Sequence, residues 1–152
     1  MIVKQMLALK NDSGKPEVTA RAIFTLNPDA TVGEAVQVLA EKRIGAVVVS
    51  ADGKRPDGIL SERDIVRAMG RNDDLRGQKV SALMTTSVQT CREGDDALTV
   101  LERMTEGRFR HMPVVDADGE MLGVISIGDA VSGRLRELHA EKEALTGMIM
   151  GA

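Results

Sequence analysis

The chain has 152 residues, a formal net charge of −3, 43% apolar residues and 28% charged residues, the profile of one compact unit or of two small lobes sharing a core. A single cysteine, Cys91, excludes an internal disulfide framework and suits a reducing compartment, and no apolar run reaches membrane-spanning length. The mild acidity argues against general nucleic-acid binding, and so do the aromatics, which number only Phe24 and Phe109. Binders of single-stranded nucleic acid stack bases on several such rings. The start, Met1-Ile2-Val3-Lys4-Gln5-Met6, lacks the basic-then-apolar layout of a secretory signal, so the expected location is cytoplasmic. Nine methionines join Val, Ile, Leu and Ala as core fillers.

Val3–Leu9 predicts a short lead-in helix, and Ala22–Leu26 a short strand closed by the turn Asn27-Pro28-Asp29. Thr31 is positioned to cap a helix whose apolar residues Val32, Ala35, Val36 and Leu39 recur at i, i+3, i+4, i+7. Gly45-Ala46-Val47-Val48-Val49 is a β-branched run, hence a buried strand. Ala51-Asp52-Gly53-Lys54 turns the chain into a further strand ending at Gly58-Ile59-Leu60. Ser61 then caps a helix with Asp64 at its third position, a short relative of the capping box. Arg71–Gln78 is a polar connector, and Val80–Met84 predicts a short helix, the counterpart of Val3–Leu9.

From there the pattern returns. Gly58-Ile59-Leu60-Ser61-Glu62-Arg63-Asp64 reappears as Gly123-Val124-Ile125-Ser126-Ile127-Gly128-Asp129, 65 positions on. The same offset matches Leu39 with Met104, Ile44 with Phe109, Val49 with Val114 and Val66 with Val131. Two copies, about Ala22–Gly70 and Ser87–Leu135, therefore each read β-α-β-β-α. Copy two has strands at Val88–Cys91, His111–Val115 and Met121–Ile125, with helices over Ala97–Glu106 and from Ser126. The expected fold is mixed α/β, two tandem repeats packed on each other, each too small to bury its sheet alone. Residues 1–19 form a lead-in, 20–70 repeat one, 71–79 a linker, 80–135 repeat two and 136–152 a tail helix. The helix from Asp129 to Ile149 carries the apolar stripe Val131, Leu135, Leu138, Leu145, Ile149, which needs cover from a partner subunit or from the N-terminal helix.

Two β-α-β-β-α copies, each with an apolar strand such as Met112-Pro113-Val114-Val115-Asp116 and then Gly-apolar-apolar-Ser-x-x-Asp, resemble CBS domains, and the pair resembles a Bateman module. The resemblance covers roughly Ile23 to Leu135 and extends to short stand-alone bacterial members with Ser-Glu-Arg-Asp in copy one and Gly-Arg-Phe-Arg-His-Met-Pro-Val-Val in copy two.

The resemblance implies binding of adenosine-containing ligands: AMP, ADP, ATP, NAD(H) or, in some members, S-adenosylmethionine. On that pattern Asp64 and Asp129 meet the ribose hydroxyls, while Ser61 and Ser126 open the same helices, where exposed N–H groups favour phosphate. Ala22, Ile23, Ser87 and Val88, with Met112 and Pro113, are implied around adenine. Arg110 and His111 are implied on phosphate, with Arg108 and Arg63 as further candidates. Read alone, Ser-x-x-Asp is plain helix capping and the basic trio a solvated strand entry; capping and ribose binding coexist. Copy one has Arg43, Gly45 and Ala46 where copy two has Arg108, Arg110 and His111, and copy two has Gly128 opposite Arg63, so two unequal pockets are expected.

The expected function is a nucleotide-sensing regulatory module, a homodimer signalling to a protein partner that the sequence does not reveal. The alternative is a dimerisation scaffold with vestigial sites. An enzyme is not expected: no nucleophile–base–orienter set is visible, and a (β/α)₈ barrel needs ~250 residues. Neither membrane nor nucleic-acid partner is expected. Cys91 reads as a buried structural thiol, His139 as exposed, and no spacing suggests a metal site.

Overall fold

The computed structural model describes residues 1–11, 23–72 and 74–150. Ala22, implied above at adenine, lies outside them. In chain order the elements are α1 (Val3–Asn11), β1 (Thr25–Leu26), α2 (Val32–Lys42), β2 (Ala46–Val49), β3 (Gly58–Ser61) and α3 (Glu62–Met69). A 3₁₀ turn (Val80–Ala82) precedes α4 (Ala97–Gly107), β4 (His111–Val115), β5 (Met121–Ser126) and α5 (Ile127–Met150).

Each helix starts where its cap residue allows. The Thr31 hydroxyl accepts the Glu34 N–H at 3.1 Å, and the Glu34 carboxylate accepts the Thr31 N–H at 3.0 Å, a complete capping box. Helix α2 then buries Val32, Ala35 and Leu39, the stripe read from the sequence. It ends at Arg43 in the left-handed region (φ 52°), and α4 ends at the matching Arg108 (φ 56°). In both copies that left-handed residue turns the chain out of a helix and into the strand that follows.

In copy one β1 runs parallel to β2 over Thr25↔Val48 and Leu26↔Val49, and β2 pairs antiparallel with β3. In copy two β4 and β5 pair antiparallel, but the strand expected at Val88–Cys91 reduces to one parallel bridge, Cys91↔Val114. Pro113 explains this. It stands where copy one has Val48, and having no N–H it cannot donate the bond that would extend the ladder.

The two lead-ins are exchanged between the copies. Val3 and Met6 of α1 are buried in the core of copy two with Val100, Met104, Met112 and Ile125. Val80, which follows copy one, is buried in its core with Val32, Leu39, Val49 and Leu60. The hydrogen bonds repeat: Val3 N–H to Asp95 O and Val80 N–H to Ala30 O, each 2.8 Å. An added Cβ at Gly123 would lie 2.7 Å from Leu7, and one at Gly58 would strike Met84. Burying a side chain such as Val3 contributes about 1.5–3 kcal/mol, so the lead-ins stabilise the copies they dock on.

A third small core, Val48, Val115 and Met121 with Ile23 and Val124, joins the copies. At the hairpin end of the strands, Met121 N–H donates to Lys54 O (2.8 Å) and Arg55 Nε to Asp118 O (3.1 Å). The start of α5 docks on α1 through Ala130 and Gly133, and the Met1 ammonium lies 2.8 Å from Glu137. Away from that contact α1 gives no cover: Val131, Leu135, Leu138, Leu145 and Ile149 are exposed, Ile149 at 79%. No helix among the described residues is long and apolar enough to cross a membrane.

Candidate functional site

At the end of the strands opposite the hairpins, the copies diverge around a cavity of about 940 Å³. Copy one contributes the point where β3 becomes α3. Ser61 Oγ accepts the Asp64 N–H at 3.2 Å, and Asp64 Oδ2 accepts the Ser61 N–H at 2.9 Å. The capping box therefore fixes the carboxylate at the cavity edge. Among the described residues Asp64 Oδ1 accepts no hydrogen bond, so one oxygen remains to meet an incoming hydroxyl. Ser126 and Asp129 repeat the box at 3.1 and 2.9 Å.

The second wall is copy two, from the end of α4 through Arg108, Phe109 and Arg110 to His111 at the start of β4. His111 packs on Gly45 of copy one, where an added Cβ would lie 3.1 Å from its Cε1. Burial, with the nearby charges of Lys10 and Arg110, holds the His111 imidazole below its ordinary value, and Asp129 opposes them. The protonated imidazole is thereby disfavoured, and the arginines carry the formal positive charge of this wall.

Of the residues singled out in the sequence, Ser61, Arg63, Asp64, Ser87, Val88, Arg108, Arg110, His111 and Ser126 line this one cavity. Asp129 does not; its Oδ2 holds Lys10 Nζ at 3.0 Å. Ile23 packs in the core between the copies, and Met112 and Pro113 are fully buried, so none of these three lines the cavity. The last pair lies in a strand buried on both faces from Met112 to Val115, with no outward-facing alternate position, so neither side chain is offered to a ligand.

Two cations were missed by the sequence reading. Arg67 stands one helical turn after Arg63, an i, i+4 relation that puts both on one face of α3 and was visible beforehand. Arg103 reaches the cavity from α4 beside Gln89, whose Oε1 accepts from Nη2 at 3.3 Å; only the tertiary fold brings it there. The cavity thus has five arginines against the three carboxylates Glu62, Asp64 and Glu106. That suits an anion, each charge-assisted contact contributing about 1.5–3 kcal/mol.

The family model for the CBS domain matches residues 15–71 and 80–135. A CBS-domain containing protein of Agrobacterium tumefaciens, known as a crystal structure, is 39% identical, with a TM-score of 0.77 covering 88% of this chain and 99% of that one. A CBS domain protein of Pyrobaculum aerophilum, solved in complex with AMP, is 29% identical, with a TM-score of 0.69 covering 85% of this chain and 89% of that one. The mitochondrial CBS domain-containing protein CBSX3 of Arabidopsis thaliana is 34% identical over 130 residues, 81% of this chain and 62% of that protein. The two matched segments carry the two copies and take in most of the sequence, so this chain belongs to the CBS-domain family as a tandem pair.

Proposed function

We propose that this chain is a regulatory module that holds an adenosine nucleotide in the cleft between its copies. One observation carries the reading: a single cavity sets the helix-capped Asp64 of copy one opposite Arg108, Arg110 and His111 of copy two. Asp64 takes the ribose hydroxyls, the arginines take phosphate, and Ile59 and Val88 offer apolar contact to the base. The cavity falls within the range of about 300–1,000 Å³ usual for small-molecule sites. The AMP complex of the Pyrobaculum relative supports the ligand class. Arg67 and Arg103 extend the basic wall, so ATP and NAD(H) are candidates beside AMP.

Such a ligand bridges the copies and favours the packing in which both walls reach it; it shifts the arrangement only through that difference in affinity. The reading is one of binding and not catalysis. The Cys91 thiol lies outside the cavity, buried, and pushed up to about 11 chiefly by that burial. We take the module to work in the cytoplasm as a homodimer whose exposed α5 stripe faces a second copy. That stripe also favours a second reading, a dimerisation scaffold.

Calorimetric titration with AMP, ATP and NADH separates the two. The nucleotide reading expects binding that Asp64→Ala and Arg110→Ala each weaken by roughly ten- to a hundredfold, the loss of one charge-assisted contact. No heat from any of the three at millimolar concentration would leave the scaffold.

A further inference from the structure

The two ribose carboxylates do not stand in the same surroundings. Asp64 lines the open cavity, whereas Asp129 Oδ2, which already accepts the Ser126 N–H at 2.9 Å, also holds Lys10 Nζ at 3.0 Å. The same ammonium donates to Val124 O at 3.1 Å, so it is seated between β5 and the first turn of α5. Oδ1 of Asp129, like that of Asp64, accepts no hydrogen bond among the described residues, so the difference is the ammonium beside it: a hydroxyl approaching within about 2.7 Å of this carboxylate competes with a cation already seated there.

The exchanged lead-ins show where this difference originates. Val3 matches Val80 and Leu7 matches Met84, each pair 77 positions apart and each docked on equivalent partners. By that register the counterpart of Lys10 is Ser87, a short neutral residue on the wall of the open cavity. The first lead-in is a nine-residue helix, the second a three-residue 3₁₀ turn. Buried Val3 and Met6 anchor the helix and hold Lys10 on Asp129.

We propose that Lys10 closes the second ribose site, so that the chain takes one nucleotide at Asp64 and a second at Asp129 only when this contact is removed. This rests on the nucleotide reading above.

Calorimetric titration of AMP into the full chain tests it. The wild type binds one equivalent, weakened roughly ten- to a hundredfold by Asp64→Ala and kept in Asp129→Ala. Lys10→Ala, and Lys10→Met, which keeps most of the stem, add a second event that disappears again when combined with Asp129→Ala. The second-site affinity in either variant rises by about tenfold or more, as expected for removing one charge-assisted competitor. Two equivalents bound by the wild type, or one-site binding left unchanged by both Lys10 variants, would overturn this inference while leaving the nucleotide reading intact. Loss of binding in the Lys10 variants would overturn it too, by making the ammonium a ligand contact. No binding by any variant would overturn both.

Discussion

Gly133→Ala tests the crossing of the N-terminal helix over copy two more sharply than any deletion of α1. Gly133 is buried on α5, and a Cβ built there lies 2.8 Å from Met6 Sδ, 3.0 Å from Met6 Cγ and 3.4 Å from Met1 Sδ. Overpacking of this kind costs about 1–3 kcal/mol, while replacing a mid-helix glycine by alanine returns about 0.5–1 kcal/mol. In the wild-type background the net effect is then a loss of up to about 2.5 kcal/mol. In a Met6→Ala background the clash disappears and only the helix gain remains, so Gly133→Ala becomes stabilising. Met6→Ala by itself costs about 2–5 kcal/mol, since Met6 is nearly fully buried. Urea unfolding of the four proteins, with unchanged slopes, gives the coupling between the two sites, expected at about 1–3 kcal/mol. Equal effects of Gly133→Ala in both backgrounds would refute the crossing, because additivity means the two residues do not touch.

His111 is held neutral in the fold mainly by burial, so the unfolded chain binds its proton more readily. Its contribution to stability is therefore present above the unfolded value of about 6.5 and is lost as pH falls from there toward the lower folded value. Urea midpoints between pH 8 and 5 should fall more steeply for the wild type than for His111→Asn, and identical slopes would contradict the assignment. The buried Cys91 thiol, raised to about 11, should resist iodoacetamide in the native state at pH 8 and react once urea unfolds the chain. Labelling at the rate of a free thiol would show that the site opens readily. Light scattering should find a dimer that truncation after Leu135 weakens, since the cut removes the exposed Leu138, Leu145 and Ile149. A monomer at high concentration would refute the role given to α5.

Most of the architecture was legible because one pattern occurs twice. The helix stripe Val32, Ala35, Leu39, the β-branched run at Val47–Val49 and the Ser-x-x-Asp caps each have a local cause, and each appears where that cause puts it. At Val88–Cys91 the repeat offset predicts copy one's ladder, but Pro113 lacks the N–H that ladder needs, a difference of backbone and not of hydropathy. Met112 and Pro113, which the resemblance implies beside adenine, have side chains buried in their strand and outside the cavity lining. Arg103 had no sequence signal, since α4 reaches the cavity only after the copies pack. Arg67 did have one, the i, i+4 spacing to Arg63.

What the repeat could not carry was which lead-in serves which copy. Sequence order sets α1 before copy one, but the buried Val3 and Met6 belong to copy two, and Val80 belongs to copy one. Such an exchange makes each half depend on the segment that precedes the other half, so neither completes its core alone. It also decides the site. Asp64 and Asp129 are the same residue in the same capping box, yet the lead-in docked beside one carries Ser87 and beside the other Lys10. The two carboxylates thus differ in their lead-in neighbours as well as in the basic residues Arg108, Arg110 and His111 that lead into β4. A substitution in the first turns of the chain acts on the carboxylate 119 residues away and not on its sequence neighbour.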